Sequence, residues 1–290
     1  MPRYNHHTAA YRVEGYGLEL ILDAGTGLCR LADLPGENAA ELPPALILLS
    51  HYHLDHTAGL IYLSALFPRR RIIVAAPGTA VYGESAAAIL NRLIAPPFFA
   101  HSLNQANPDL EVVDLAPGEN HIAGLRIQCR IQTHTNPSMG IRIGNELAYI
   151  TDTGCDAATV EFISGCPLLM HECWGRGEAI AASGHAHLEG VIQIARQAGV
   201  DQLLLVHINP LLTKSEINEL EAAAQREFPD SAVARDLVAW PMAPGQEKLN
   251  LTPLFKSQAR NPKQIQIAKI QMTETKARQK QSRNTRKKPS

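Results

Sequence analysis

Short apolar runs alternate with segments of helical spacing along most of the chain. The uncharged runs Ala45–Leu49, Ile72–Ala75 and Gln202–Val206 predict buried strands. From Leu188 onward, apolar residues recur at the spacing of a helix that buries one face. The pattern therefore predicts an α/β fold. In such folds ligands bind where the carboxyl ends of the strands meet.

Side chains with metal-binding chemistry collect at the end of the first of these runs. The stretch Ser50–His56 contains His51, His53, Asp55 and His56 and precedes a segment that can start a helix. Burying three imidazoles and a carboxylate without partners would be costly. Zinc and related metals bind neutral imidazole nitrogen and carboxylate oxygen. Because the spacing is too tight for one ion, it predicts two adjacent ions, with His51 and His53 on one and Asp55 and His56 on the other.

The pattern His-x-His-x-Asp-His after an apolar strand resembles the metallo-β-lactamase superfamily of binuclear metallohydrolases. The resemblance implies a four-layer αββα sandwich with its metals at one edge, formed here by a hydrolase domain of residues 1–250. Further along, His134, a strand with Gly-x-Arg, a short hairpin and a Thr-Asp-Thr sequence are similar to the phosphodiesterase and ribonuclease Z branch. This resemblance assigns His134 to the first metal, His207 to the second, and Asp152 to both as a bridge.

Two further elements extend the resemblance. A His-Glu pair ending at Glu172 closes a predicted strand, and a later loop carries His185 and His187. In the same branch a glutamate and a loop histidine form a dyad near the metals. The resemblance therefore implies that Glu172 orients His185, which contacts the phosphate or protonates the leaving group, with His187 as the alternative histidine. Asp23, at another strand end, is expected to support a ligand histidine without binding metal.

The resemblance implies a metal-dependent phosphoric diester hydrolase that cleaves a small or cyclic phosphodiester. Its cofactors would be two divalent ions, Zn²⁺ by the nitrogen and oxygen donor set, with Mn²⁺ or Fe as alternatives. Such a pair lowers the pKa of a shared water, so that hydroxide forms near neutral pH. Asp55, His185 and Glu172 are the expected catalytic residues, with Asp55 holding the proton of the nucleophile.

Three alternatives remain open. The first is a ribonuclease Z-like endonuclease that trims tRNA 3′ ends, but the long arm such enzymes insert between the positions of His134 and Asp152 is replaced here by a tight hairpin. The second is a thioester or lactone hydrolase, which the Glu172 and His185 elements disfavour. The third is a non-catalytic binding protein of the same fold, which the complete ligand set disfavours.

Charge divides the chain unevenly. Residues 256–290 carry 11 Lys and Arg against one acid, Glu274, so this segment has about +10 and the remainder about −11 within a total of −1. The segment has few large apolar residues, which predicts a basic disordered tail that could contact RNA. The acidic remainder is a poor surface for a polyanion.

The remaining composition bears on location and assembly. The five cysteines form no Cys-x-x-Cys pair, and the N-terminus has no apolar signal core, so we expect reduced thiols in a cytoplasmic protein. No apolar run approaches the length of a membrane span. Dimers are common in the branch that the chain resembles, which implies a homodimer.

Overall fold

The computed structural model describes residues 7–33, 44–235, 238–241 and 250–253. Within them, two seven-stranded sheets pack face to face with helices on their outer faces. This confirms the predicted four-layer αββα sandwich. The basic segment 256–290, for which the sequence predicts disorder, lies outside the described residues. In the part of the chain that is described, no helix combines the length and apolarity needed to cross a membrane.

The first sheet contains the amino-terminal strands, and the last two strands of the chain lie at one of its edges. Its strands are β1 (Tyr11–Glu14), β2 (Glu19–Leu22), β3 (Ala45–Leu48), β4 (Ile72–Pro77), β5 (Leu110–Leu115), β13 (Trp240–Pro241) and β14 (Asn250–Pro253). The order across the sheet is β13-β14-β1-β2-β3-β4-β5. Strands β1 and β2 form an antiparallel hairpin, and β2 to β5 run parallel.

The second sheet runs in the order β12-β11-β10-β9-β8-β7-β6. Its strands are β6 (Gly118–Ile122), β7 (Leu125–Gln132), β8 (Ser138–Ile143), β9 (Leu147–Ile150), β10 (Leu168–Glu172), β11 (Gln202–Val206) and β12 (Ser231–Val233). Pro117 and Gly118 form a sequence pair typical of turns, but β6 begins at Gly118, and the turn that follows it lies at Ala123 and Gly124, both with positive φ. As an edge strand, β6 exposes most of its polar side chains, so its sequence resembles a turn.

Helices cover both outer faces. They are α1 (Leu54–Thr57), α2 (Leu63–Leu66), α3 (Thr79–Tyr82), α4 (Ala86–Leu93), α5 (Leu103–Ala106), α6 (Ala158–Ile163), α7 (Glu178–Ala181), α8 (Leu188–Ala198) and α9 (Lys214–Glu227), with 3₁₀ helices at Thr26–Asp33 and Ala58–Tyr62. Residues of α4 pack on the first sheet, and residues of α8 and α9 pack on the second.

The apolar run of β3 shows why it contains no polar residue. Leu46 and Leu48 face the core between the sheets, whereas Ile47 and Leu49 face the helical layer. Successive side chains of a strand point to opposite faces, so a strand buried on both sides needs apolar residues throughout. The run therefore delivers the chain, directly after Leu49, to one edge of the sandwich.

Two glycines allow the loops at this edge to approach closely. A Cβ atom on Gly25 would lie 2.1 Å from the Asp55 carbonyl oxygen, and one on Gly59 would lie 2.1 Å from the Gly25 carbonyl oxygen. The Gly59 amide also donates to the Ala24 carbonyl at 2.7 Å. The loop after β2 therefore packs directly against the histidine-rich stretch, because these glycines have no side chain to keep the two backbones apart.

Candidate metal centre

His51 lies in the extended segment directly after β3 and is fully buried. Its Nδ1 is 3.0 Å from Ser50 Oγ, while its buried Nε2 has no hydrogen-bond partner among the described residues. Burial, with the neighbouring His56, lowers the pKa of His51 to about 3, so the ring is neutral at ordinary pH. A neutral imidazole with one unpartnered buried nitrogen has the form of a metal ligand.

The first candidate ligand group joins both sheets. His51, His53, His134 and Asp152 each offer one nitrogen or oxygen within 4.8 Å of the others. His134 Nε2 lies 3.3 Å from His53 Nδ1 and 3.5 Å from Asp152 Oδ1. His53 Nε2 lies 3.1 Å from Asn136 Oδ1, so its Nδ1 is the nitrogen that faces the group.

The second group comprises Asp55, His56 and His207. His56 Nε2 lies 3.2 Å from His207 Nε2, 3.4 Å from Asp55 Oδ2 and 3.0 Å from Asp152 Oδ2. Asp152 Oδ2 is also 3.5 Å from His207 Nε2. One oxygen of Asp152 therefore faces each group, which is the arrangement a carboxylate between two ions requires.

The electrostatics of the second group favour a cation. Burial opposes a charge on His207, but the Asp152 carboxylate, with Asp55 and Glu172, raises its pKa to about 9. The pKa of His56 is likewise raised, against burial, chiefly by Asp23. Hydrogen bonds from His207 and His56 hold the pKa of Asp55 well below its usual range despite burial. The same negative charge that retains protons on these imidazoles would attract metal ions, so the residues present fit a pair of divalent cations.

Asp23 supports the second group from beneath, as expected. This buried carboxylate accepts from the Ser50 amide at 2.7 Å, from the Tyr149 hydroxyl at 2.6 Å and from His56 Nδ1 at 2.7 Å. The hydrogen bond from Nδ1 fixes the tautomer of His56 and leaves its Nε2 to face the other residues of the second group.

Three residues of the centre have left-handed backbone conformations. Asp23, Asp152 and His207 have φ of 56°, 49° and 45°. Such angles are uncommon for residues other than glycine and concentrate at functional sites. Each of the three follows an apolar strand within two residues, but that signal does not specify the sign of φ, and the sequence did not predict it.

The predicted dyad is formed by Glu172 and His185. Glu172, fully buried at the end of β10, accepts from His185 Nδ1 at 2.9 Å and from the Thr153 amide at 2.7 Å. His187 instead lies with Nδ1 3.5 Å from Cys155 Sγ, at the start of α8. The geometry therefore places His185, and not His187, against the glutamate. His185, Asp152 and His207 also offer atoms within 4.8 Å of one another, so the dyad adjoins the second group.

Trp174 also belongs to this part of the site, although the sequence did not predict it. Its indole stacks on His185 with ring centroids 4.2 Å apart and planes at 9°, and on His207 at 5.3 Å and 29°. The Trp174 amide donates to the Ala186 carbonyl at 2.9 Å, which joins the strand end to the loop of His185. The one feature of the sequence that could have indicated a role for Trp174 is its position two residues after Glu172.

A cavity of about 150 Å³ adjoins the second group. Its walls include Asp55 and His207 together with mainly apolar residues, and Trp174 forms part of it. We refer to it as the indole cavity. It is lined by His7, Thr8, Ala9, Tyr11, Asp55, Trp174, Val206, His207, Ile208, Pro210 and Ala234.

Comparisons with known proteins agree with this geometry. The family model described as "Beta-lactamase superfamily domain" matches residues 19–208. A ribonuclease Z of Methanopyrus kandleri is 28% identical over 271 aligned residues, covering 77% of this chain and 88% of the relative. Among solved structures, the metallo-beta-lactamase fold protein YhfI from Bacillus subtilis aligns with a TM-score of 0.62 at 19% identity, covering 80% of this chain and 90% of that one. A diphosphatase from the PhnP family aligns at 0.58 and 18%, covering 79% and 82%.

Proposed function

This chain belongs to the beta-lactamase superfamily, and we propose that it is a binuclear hydrolase of small or cyclic phosphodiesters. Its similarity to ribonuclease Z places it in the phosphodiesterase and ribonuclease Z-like branch, whose members are metal-dependent hydrolases acting on phosphodiesters. The observation that carries the binuclear proposal is Asp152, whose two carboxylate oxygens face two separate groups of ligand side chains.

Seven side chains would hold the ions. His51, His53 and His134 would hold the first ion, Asp55, His56 and His207 would hold the second, and Asp152 would contribute to both. Because all donors are imidazole nitrogens or carboxylate oxygens, Zn²⁺ suits both positions, and Mn²⁺ or Fe would be accommodated by the same donors. Two such ions, when bound, supply Lewis acidity that lowers the pKa of water and offsets negative charge on a phosphoryl group.

Asp55 has a second role in this proposal. One of its oxygens lies 3.4 Å from both His56 Nε2 and His207 Nε2, and the side chain remains 42% exposed. A carboxylate that is both in the ligand group and open to substrate can accept a hydrogen bond from the attacking water and so orient it. Its depressed pKa keeps it ionised for that task.

The dyad of Glu172 and His185 would protonate the leaving group. Glu172 receives the Nδ1 hydrogen of His185, so His185 Nε2 is the nitrogen free to face substrate. A protonated Nε2 can donate its hydrogen to the departing alkoxide as the phosphorus–oxygen bond breaks. The stacked Trp174 indole fixes the plane of the imidazole during that transfer.

Hydrolysis of bis(p-nitrophenyl) phosphate, measured together with bound metal, tests the proposal against a non-catalytic binding protein. The zinc-loaded protein should hold two ions and release p-nitrophenolate, whereas Asp55→Ala should lose activity by about 10²–10⁴. Asp109→Ala, which removes an exposed carboxylate, should change neither quantity. Two bound ions without turnover by the unaltered protein would support the binding protein instead.

A ribonuclease Z-like activity is the second candidate, and similarity to the Methanopyrus kandleri ribonuclease Z favours it. Against it, only the β8–β9 hairpin with its short turn lies between His134 and Asp152. Cleavage of precursor tRNA by the full chain and by a chain ending at residue 255 would decide. Cleavage at the 3′ end that depends on residues 256–290 would favour this candidate, and no cleavage would favour small phosphodiesters.

A further inference from the structure

We propose that the indole cavity binds one flat, uncharged ring of the substrate, carried on an ester group of the phosphodiester, and that Trp174 selects it. This inference rests on the proposed phosphodiesterase function but adds the chemistry of the group beside the phosphate. It follows from what lines the cavity, from its size and from its position relative to the two ligand groups.

The lining is mainly apolar, with polar side chains from His7 and Thr8 and, at the metal centre, from Asp55 and His207. Most of the wall consists of aliphatic, proline and aromatic surface. Among the described lining residues there is no Lys or Arg, and Asp55 contributes a carboxylate. A second phosphate or another anion would be repelled by the Asp55 carboxylate, whereas an uncharged ring would bury apolar surface against the wall.

The size of the cavity sets a limit on the group. Its volume of about 150 Å³ equals that of an apolar cavity that holds a single benzene molecule. Two aromatic side chains, those of Tyr11 and Trp174, form part of the wall surface. Stacking on such surfaces favours a planar ring over a branched aliphatic group of the same volume. The dimensions therefore suit one six-membered ring.

The cavity lies on one side of the metal centre. Asp55 and His207 of the second ligand group line it, whereas His51, His53 and His134 of the first group do not. A phosphoryl group placed between the two groups would therefore have one ester substituent directed to the cavity. No atom of His185 contributes to its wall, although Trp174 connects the cavity to that histidine.

The walls are held in place before any ligand arrives. Trp174 is stacked on His185 and His207, and Tyr11 is buried with its hydroxyl accepting from the His207 amide at 3.2 Å. A wall that is already ordered costs little conformational entropy on binding.

Calorimetric titration of the zinc-loaded protein with three phosphonates tests the proposal. Methylphosphonate offers only the anionic head, phenylphosphonate adds one ring, and naphthylphosphonate adds two. Phenylphosphonate should bind on the order of tenfold more tightly than methylphosphonate, as expected for stacking of one ring. Naphthylphosphonate should gain nothing further. Equal affinity of the methyl and phenyl compounds, or a further gain for naphthyl, would overturn the proposal.

Variants locate the effect. Trp174→Ala should reduce the phenyl-to-methyl affinity ratio to near one, and Trp174→Phe should restore part of it. Ala234→Leu, which fills the cavity while keeping Trp174 itself, should also reduce the ratio. Ala222→Leu adds the same side chain on the exposed face of α9 and should leave the ratio unchanged. A ratio that survives both Trp174→Ala and Ala234→Leu would place the ring elsewhere.

The outcome can be separated from the proposed function. Hydrolysis of bis(p-nitrophenyl) phosphate with equal affinity for methyl and phenyl phosphonates would keep the phosphodiesterase and reject the ring site. A clear phenyl preference abolished by Ala234→Leu, in a protein with two ions and no hydrolysis, would keep the ring site and reject the phosphodiesterase.

Discussion

The two sheets supply the metal centre in different ways. The first sheet delivers four candidate ligands within one stretch, His51 to His56, directly after β3. The second sheet delivers its residues singly: His134 after β7, Asp152 after β9 and His207 after β11, with Glu172 at the end of β10. The first contribution is set by local sequence, whereas the second exists only when strands distant in the chain lie side by side.

The difference extends to the backbone. Among the proposed ligands, Asp152 and His207 adopt left-handed conformations, while His53 has φ −60° and ψ 149° in ordinary extended geometry. The left-handed residue of the first sheet, Asp23, supports a ligand and is not one itself. Strained conformations persist only where the surrounding structure determines them. The second sheet therefore holds the residues on which the arrangement of both ligand groups depends, and substitutions there should be the most damaging.

The largest expected effect is that of Asp152→Ala. Because each of its oxygens faces one ligand group, we expect loss of both ions and a fall in phosphodiester hydrolysis of about 10⁴. Asp55→Ala, the comparable change on the first sheet, should retain the ion of the first group. Metal analysis of both purified variants checks this. If Asp152→Ala keeps two ions, the comparison between the sheets is wrong.

His185→Ala should have the next largest effect, and on turnover alone. Since His185 contacts Glu172 and lies outside the seven proposed ligands, we expect kcat to fall about 10²–10³ with two ions retained. Steady-state kinetics and metal analysis measure both quantities, with His187→Ala as the control because that side chain lies beside Cys155. Loss of one ion in proportion to activity would make His185 a ligand.

Asp23→Asn tests whether the His51–His56 stretch of the first sheet needs support from outside itself to bind metal. The carboxylate receives hydrogen bonds from His56, Ser50 and Tyr149, so its removal should weaken the second ion by about 10–100-fold and leave the first unaffected. Zinc titration against a competing chelator resolves the two affinities. Tyr149→Phe, which removes one donor to Asp23, should have a smaller effect of the same kind. Equal weakening of both ions would contradict this assignment.

The smallest expected effects are those of removing two helix caps outside the site, one on a helix that packs on each sheet. Thr213 accepts from the Glu216 amide at the start of α9, and Ser85 accepts from the Ala88 amide at the start of α4. Thr213→Ala and Ser85→Ala should each lower the free energy of unfolding by about 1 kcal/mol. Urea denaturation measures this loss, and hydrolysis should be unchanged in both. A change in hydrolysis would mean that these outer helices shape the centre directly.

The sequence predicted those elements best whose structure depends on neighbouring residues in the chain. The run before His51 and the strand Gln202–Val206 are apolar enough to specify buried strands, and the latter has the predicted bounds. The αββα order followed from the resemblance, because pattern alone cannot decide how strands pair. Edge strand β6 was missed since its polar residues face solvent.

Within the centre, residue identity could be predicted but not geometry. The amino-acid sequence does not indicate that Asp152 adopts a positive φ. It also does not indicate that His53 faces its group through Nδ1, because that follows from the contact of Asn136 with Nε2 in the folded chain. Trp174 was missed because an aromatic residue near a strand end more often belongs to the core. Its stacking on His185 depends on two loops that meet only in the folded chain.

Anomalous X-ray scattering from crystals of the zinc-loaded protein tests the central claim most directly. The account predicts two peaks, one among His51, His53 and His134 and one among Asp55, His56 and His207, with Asp152 between them. A single peak, or two peaks away from Asp152, would contradict it.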